Sequence, residues 1–151
     1  MATPDRIVSA ARGWIGTPYR LQASLRGAGA DCLGLLRGVW REVIGPEPEP
    51  VPAYTPDWSE PQGEERLWQA ALRHLVPLPL PGAADDPAPG EVLLFRMRAG
   101  SVAKHLGLAA RRDGQASFIH AYSGHGVVES PLSRPWRRRI AARFAFPERT
   151  E

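Results

Sequence analysis

The residues best equipped for chemistry are one thiol and two imidazoles. Cys32 is the single cysteine of the 151-residue chain, which rules out an intramolecular disulfide and a cysteine metal cluster. It opens an apolar set, Cys32, Leu35, Leu36, Val39, Trp40 and Val43, spaced as one face of a helix, with Gly45-Pro46 beyond its end. Asp31 is the expected cap, so the thiol falls in the first turn. There, unpaired N–H groups and partial positive charge favour thiolate over thiol. A small buried hydrophobe would occupy the same place equally well.

His105 and His120 lie on two expected strands joined through Arg111-Arg112-Asp113-Gly114. If all four residues form the turn, His105 falls opposite His120. If only Asp113-Gly114 turns, His105 faces Tyr122 and His120 becomes its diagonal neighbour. Either register leaves both imidazoles on one face, because strand side chains alternate with period two. Their Cβ atoms would be roughly 4.5–8 Å apart. Such a pair could bind a metal, or one ring could orient the other. A metal needs further ligands, and neither an HExxH motif nor a cysteine pair exists. Cys32 with two histidines fits nucleophilic catalysis better: a thiolate, a base for its proton, and a group fixing the base's tautomer. His74 and His125 read as hydrogen-bonded structural residues. No metal and no cofactor is implied.

The elements that must position these groups follow from periodicity. Thr3 caps a first helix with Pro4 at its start, carrying Ile7, Val8, Ala11, Trp14 and Ile15, and Gly16 stops it. A loop over 17–30 leads to the Cys32 helix, and Leu67, Trp68, Ala71, Leu72 and Leu75 mark a third. Segments 46–61 and 77–89 are proline-rich and read as surface connections, the first holding six prolines. Residues 91–97, 105–111, 116–122, 126–129 and 142–146 read as strands. Helices first and an antiparallel sheet after make an α+β fold in one domain, residues 1–151.

Composition agrees with a globular domain: 43% hydrophobic and 23% charged. The net charge is +3, and five arginines surround Trp136 between Arg134 and Arg143. A solvated strand edge or loop accounts for that cluster better than a nucleic-acid surface at so small a net charge. No secretory signal and no membrane-spanning run is visible, so the expectation is synthesis in the cytoplasm without membrane insertion.

Five motifs in order then carry a family resemblance: Gly16-Thr-Pro-Tyr19, Asp31-Cys-Leu-Gly-Leu35, Pro89-Gly-Glu-Val-Leu-Leu-Phe95, Lys104-His-Leu-Gly-Leu108 and Phe118-Ile-His-Ala121. Together they resemble the NlpC/P60 cysteine peptidases over residues 13–146. The proline-rich insertion, the lack of a signal and the minimal length are similar to the phage-type branch, which includes tail-associated and gene-transfer-agent cell-wall peptidases. The resemblance implies a small papain-like domain with the Cys helix packed on an antiparallel sheet. It implies Cys32 as nucleophile, His105 as general base and His120 as third polar residue. Tyr19 would help stabilise the oxyanion and Asp31 would line the substrate site.

The substrate so implied is the peptidoglycan stem peptide, cut between γ-D-glutamate and the diamino acid. Partners would be peptidoglycan and phage-like tail proteins, with action in the periplasm after delivery in a tail. Leu33 stands where the family has Ser, and 22–30 replaces its Gly-Gly, which bears on polar contacts at the substrate end. Two rivals remain at this level: a Cys–His amidase cutting between sugar and peptide, and a catalytically lapsed tail component.

Overall fold

The computed structural model describes residues 2–51, 65–80 and 85–147. Helix α1 spans Pro4–Arg12, with the Thr3 hydroxyl accepting the Arg6 N–H at 3.3 Å. After it, a two-stranded hairpin of β1 (Ser24–Leu25) and β2 (Gly29–Ala30) precedes α2 (Cys32–Val43). Then follow α3 (Arg66–His74), β3 (Val76–Leu78), β4 (Val92–Phe95), β5 (His105–Arg112), β6 (Gln115–Tyr122), β7 (Gly126–Pro131), α4 (Arg134–Arg139) and β8 (Ile140–Ala145). The six-stranded sheet runs β3-β8-β4-β5-β6-β7 with every pairing antiparallel. The α+β expectation holds.

Two cores use the two faces of this sheet. One face packs Val92, Leu94, Leu106, Leu108, Ile119 and Val127 against the apolar stripes of α1 and α2. The other gathers Leu93, Phe95, Ala109, Phe118 and Leu132, with Trp136 of α4 packed against them. Alternation along β4 explains the division, since successive side chains leave a strand on opposite faces.

Close packing of α2 depends on its glycines. A Cβ at Gly34 would stand 1.8 Å from the Ala23 carbonyl oxygen, and one at Gly38 would stand 2.0 Å from the Trp14 ring. One helical turn apart, these positions let α2 lie directly on the loop before β1 and on Trp14, just past the end of α1. At the opposite side of α1, Arg12 donates to both carboxylate oxygens of Glu129 at 3.0 Å and to the Arg111 carbonyl at 2.6 Å. Ser117 donates to the same carboxylate at 2.7 Å, so α1 is tied to β5, β6 and β7 together.

The first helix ends at Arg12, capped by Gly13 and short of the expected stop at Gly16, and three further departures from the sequence reading have local causes. The expected loop at 17–30 contains the β1–β2 hairpin, too short to show a period. The start of the second proline-rich segment is the edge strand β3, which pairs with β8 through Val76↔Ala145 to Leu78↔Arg143. Pro77 is tolerated there because an edge strand needs hydrogen bonds on one side only. The arginine cluster, read as a strand edge or loop, forms the short helix α4 before β8, started by Ser133 and a proline in its first turn. Segments 52–61 and 81–84 lie outside the described residues. No helix among the described residues is long and apolar enough to cross a membrane.

Candidate active site

The thiol sits at the first residue of α2, and the helix start is fixed by Asp31. Its Oδ1 accepts the Gly34 N–H and its Oδ2 the Gln22 N–H, each at 2.7 Å. The Asp31 residue is only 2% exposed. One buried carboxylate therefore caps the helix and holds the preceding loop against it. From the other side, Ser24 donates to the Gly34 carbonyl at 2.6 Å. The residue that the family resemblance assigns to the substrate site thus has both carboxylate oxygens bound to backbone amides.

Cys32 meets the sheet where two strands part. The β5–β6 register runs from Arg112↔Gln115 to Leu108↔Ile119 and stops, short of His105. The turn is Asp113-Gly114, with φ of 53° and 76°, the left-handed pair that a tight hairpin requires. So the second of the two expected registers holds, with His120 diagonal to His105. In the fork left at 104–106, Cys32 Sγ lies 3.7 Å from the Lys104 carbonyl, to which its S–H donates. The Leu106 N–H points to the sulfur as well, as do those of Leu33 and Cys32 itself. The thiol takes up backbone groups that a longer β6 pairing would have used.

Both histidines occupy the sheet face opposite α1 and α2, the face on which Trp136 of α4 packs. His105 Nε2 is 2.8 Å from His120 Nδ1, and His120 Nε2 is 2.9 Å from the Ser130 hydroxyl on β7. Phe95, Tyr122 and Trp136 stand within 6.0 Å of the His105 ring centre, and Phe118 lies 4.2 Å from that of His120. Burial among these rings, with the neighbouring His120, pushes His105 down to about 3. Burial with the nearby His125 pushes His120 down to about 4. For Cys32, burial first and the Asp31 charge second push the thiol up to about 12, against the pull of the backbone N–H groups. At neutral pH the thiol and both imidazoles therefore rest uncharged.

Tyr19 forms an isolated bridge with Ala30, which brings its half-buried ring to the thiol's side of α2. Burial, then the Cys32 and Asp31 charges, raise its hydroxyl to about 12, so it remains a donor. Leu33 is half-buried against the helix-side core.

Two contributing residues carried no sequence signal. Glu65 accepts the Ala103 N–H at 2.6 Å and an Arg96 N–H at 3.0 Å, and Arg96 also donates to the Ser101 carbonyl. That clamp fixes residues 101–103, which deliver Lys104 and His105. Ser130 is the other; alternation from Val128, which lies opposite His120, puts it on the histidine face. By contrast, His74 hydrogen-bonds Glu49 at 2.9 Å and His125 stacks on Tyr122 at 5.2 Å. Arg137 and Arg143 of the basic cluster are bound to Asp86 and Glu91.

Acid sensitivity follows from the two buried imidazoles. Each is neutral in the fold and takes up a proton more readily when unfolded, near the ordinary value of about 6.5. The unfolded state therefore binds more protons below that value, and stability falls as pH falls. The loss begins near pH 6.5 and continues to about 4 for His120 and about 3 for His105. Urea midpoints should hold above about pH 6.5 and drop from there to pH 4.5. His120→Gln should flatten that slope, whereas equal slopes in both proteins would show that the ring is not buried neutral.

No protein-family model matches the chain. It is 29% identical over 136 residues to the murein DD-endopeptidase MepS/murein LD-carboxypeptidase of Escherichia coli K12, a match covering 89% of this chain and 58% of that protein. The protein of that name from Escherichia coli O157:H7 matches to the same extent. The chain thus spans somewhat over half the length of these relatives. Among solved structures, an NlpC/P60 family protein from Bacillus cereus aligns with a TM-score of 0.61 at 19% identity, over 95% of this chain and 40% of that one. A Staphylococcus aureus protein described as similar to lipoprotein, NLP/P60 family, gives 0.59 at 17%, over 96% and 41%. The fold is that of these NlpC/P60 structures.

Proposed function

We propose that this chain is an NlpC/P60 cysteine peptidase that hydrolyses peptide bonds of peptidoglycan. The observation that carries the reading is the thiol at a helix start, seated in the β5–β6 fork at the strand end that bears His105, with His105 hydrogen-bonded to His120. Similarity to a murein endopeptidase points the same chemistry at the cell wall.

Because His105 Nε2 is engaged by His120, Nδ1 is the nitrogen left for the thiol proton. Sγ attacks the amide carbonyl as its proton passes to His105, which makes the nucleophile only when substrate is in place. The oxyanion is met by backbone N–H groups at the start of α2 and by the Tyr19 hydroxyl. Collapse breaks the C–N bond, and His105 returns its proton to the leaving amine. Water then attacks the thioester, giving up a proton to His105, and the carboxylic acid leaves as Sγ–H is restored. Asp31 acts through the cap that holds Cys32, and the Glu65–Arg96 clamp acts through the segment that holds His105.

Two bonds compete as the point of cleavage. The motif resemblance favours the γ-D-glutamyl–diamino acid bond, and the name of the Escherichia coli relative favours the D,D cross-link. Purified muropeptides separate them. Cutting at the γ-D-glutamyl bond converts a disaccharide tetrapeptide monomer to a disaccharide dipeptide. Cutting the D,D bond splits a cross-linked dimer into intact monomers. Release of a whole stem peptide would mark an amidase instead, and no product from any substrate would mark a lapsed structural component. Delivery in a phage-like tail, with tail proteins as partners, belongs to the same proposal and is supported by the proline-rich insertion after the Cys helix.

A further inference from the structure

A chain of hydrogen bonds continues past the histidine pair, and we infer that Ser130 is a positioning residue that sets the tautomer of His105 through His120. The inference rests on the peptidase reading above, since it concerns which nitrogen of the base is free. Its observation is the pair of contacts His105 Nε2 to His120 Nδ1 at 2.8 Å and His120 Nε2 to Ser130 Oγ at 2.9 Å.

Neutral imidazole carries one proton, so each of these contacts needs one donor and one acceptor. Only two arrangements satisfy both. In the first, His105 donates from Nε2 to His120 Nδ1, and His120 donates from Nε2 to the Ser130 oxygen. His105 Nδ1 is then a bare lone pair, able to take a proton. In the second, Ser130 donates to His120 Nε2, and His120 donates from Nδ1 to His105 Nε2. Now His105 holds its proton on Nδ1 and has no lone pair for a thiol. The two arrangements differ in the direction of every bond; the serine hydroxyl can end either, but its removal costs them unequally, because the first then leaves a buried N–H unmet and the second only a ring lone pair.

Apart from His125, which stacks on Tyr122, the surroundings offer little else to make that selection. His120 is fully buried, and the rings around the pair are Phe95, Phe118, Tyr122 and Trp136. Phe95, Phe118 and the faces of the other two rings neither accept nor donate a conventional hydrogen bond. β-strand pairing holds the serine in place, because Phe118↔Ser130 and His120↔Val128 are alternate positions of the β6–β7 register, on one face of the sheet. A hydroxyl on β7 is therefore delivered to the His120 ring by backbone geometry rather than by a flexible side chain.

Removing the hydroxyl leaves a buried Nε2–H without an acceptor, which costs the first arrangement and favours a proton shift to Nδ1. That places His105 in its non-basic tautomer for part of the population. Ser130→Ala should slow both thiol alkylation at pH 7.5 and muropeptide turnover, on the order of ten- to a hundredfold for one unsatisfied buried donor. Ser130→Thr keeps an oxygen at the same position and should restore most of the rate. The readout that a merely structural serine would not move is imidazole nitrogen NMR. Wild type should show His105 protonated at Nε2 and bare at Nδ1, and Ser130→Ala should show a mixture. Wild type with His105 protonated at Nδ1 overturns the inference. So does Ser130→Ala with the wild-type tautomer and alkylation rate. If wild type cleaves no muropeptide, the functional reading fails, while the spectra and the alkylation rates still decide this one.

Discussion

Cys32→Ala is expected to bring muropeptide turnover to background while the protein stays folded. Loss of a covalent nucleophile typically removes on the order of 10⁶ in rate, because the remaining groups can polarise the carbonyl but cannot form the thioester. The sulfur fills little volume and Cys32 is only partly buried, so the cost to stability should be about 1 kcal/mol. Tyr19→Phe gives the contrast. The Tyr19 hydroxyl is one of several donors at the oxyanion, and one such donor is worth on the order of 10²–10³ in rate. A measurable remnant is therefore expected in Tyr19→Phe and none in Cys32→Ala, with thermal melts of both within a few degrees of wild type. Equal losses in the two variants would contradict the roles assigned to them.

Gly34→Ala carries the largest expected cost to the fold. The added carbon would stand 1.8 Å from the Ala23 carbonyl oxygen, a backbone atom that moves only with its loop. That loop is held to the same helix turn by the Asp31 bonds to Gln22 and Gly34 and by the Ser24 bond to the Gly34 carbonyl. Relief of the clash must break that set, so a loss of about 3 kcal/mol is expected. For a chain of this length it corresponds to a fall of about 6–12 °C in Tm. Activity should fall further than stability explains, because the loop displaced by the new methyl is joined to the turn that carries Cys32. Gly13→Ala is the control. Its Cβ meets the end of the flexible Arg26 side chain at 2.6 Å, and the melting temperature should hold within a few degrees.

How much of this was readable in the sequence depended on the range of the forces involved. The Cys32 helix, its Asp31 cap and the strands bearing His105 and His120 are local patterns of period and capping, and all three lie where the sequence placed them. The hairpin register was narrowed to two choices, and the left-handed backbone at Asp113-Gly114 decides it. Position in a motif assigns Asp31 to the substrate site, and its place before the helix predicts the capping role seen in its bonds to two backbone amides. Glu65, Ser130 and the approach of Ala23 to Gly34 were not readable. Each depends on a contact between elements distant in the chain, and periodicity carries no information on such pairings. Trp136 was noted only for its arginine neighbours, although its ring packs against both imidazoles.

The most direct test of a cell-wall peptidase reading is mass analysis of soluble fragments released from purified Gram-negative peptidoglycan, with iodoacetamide labelling of Cys32 run in parallel. The expected result is a set of peptide fragments with new termini at one bond type, released by wild type and by no sample whose Cys32 has been alkylated. Intact peptidoglycan beside a thiol that labels readily would contradict it, leaving a reactive site with some other substrate.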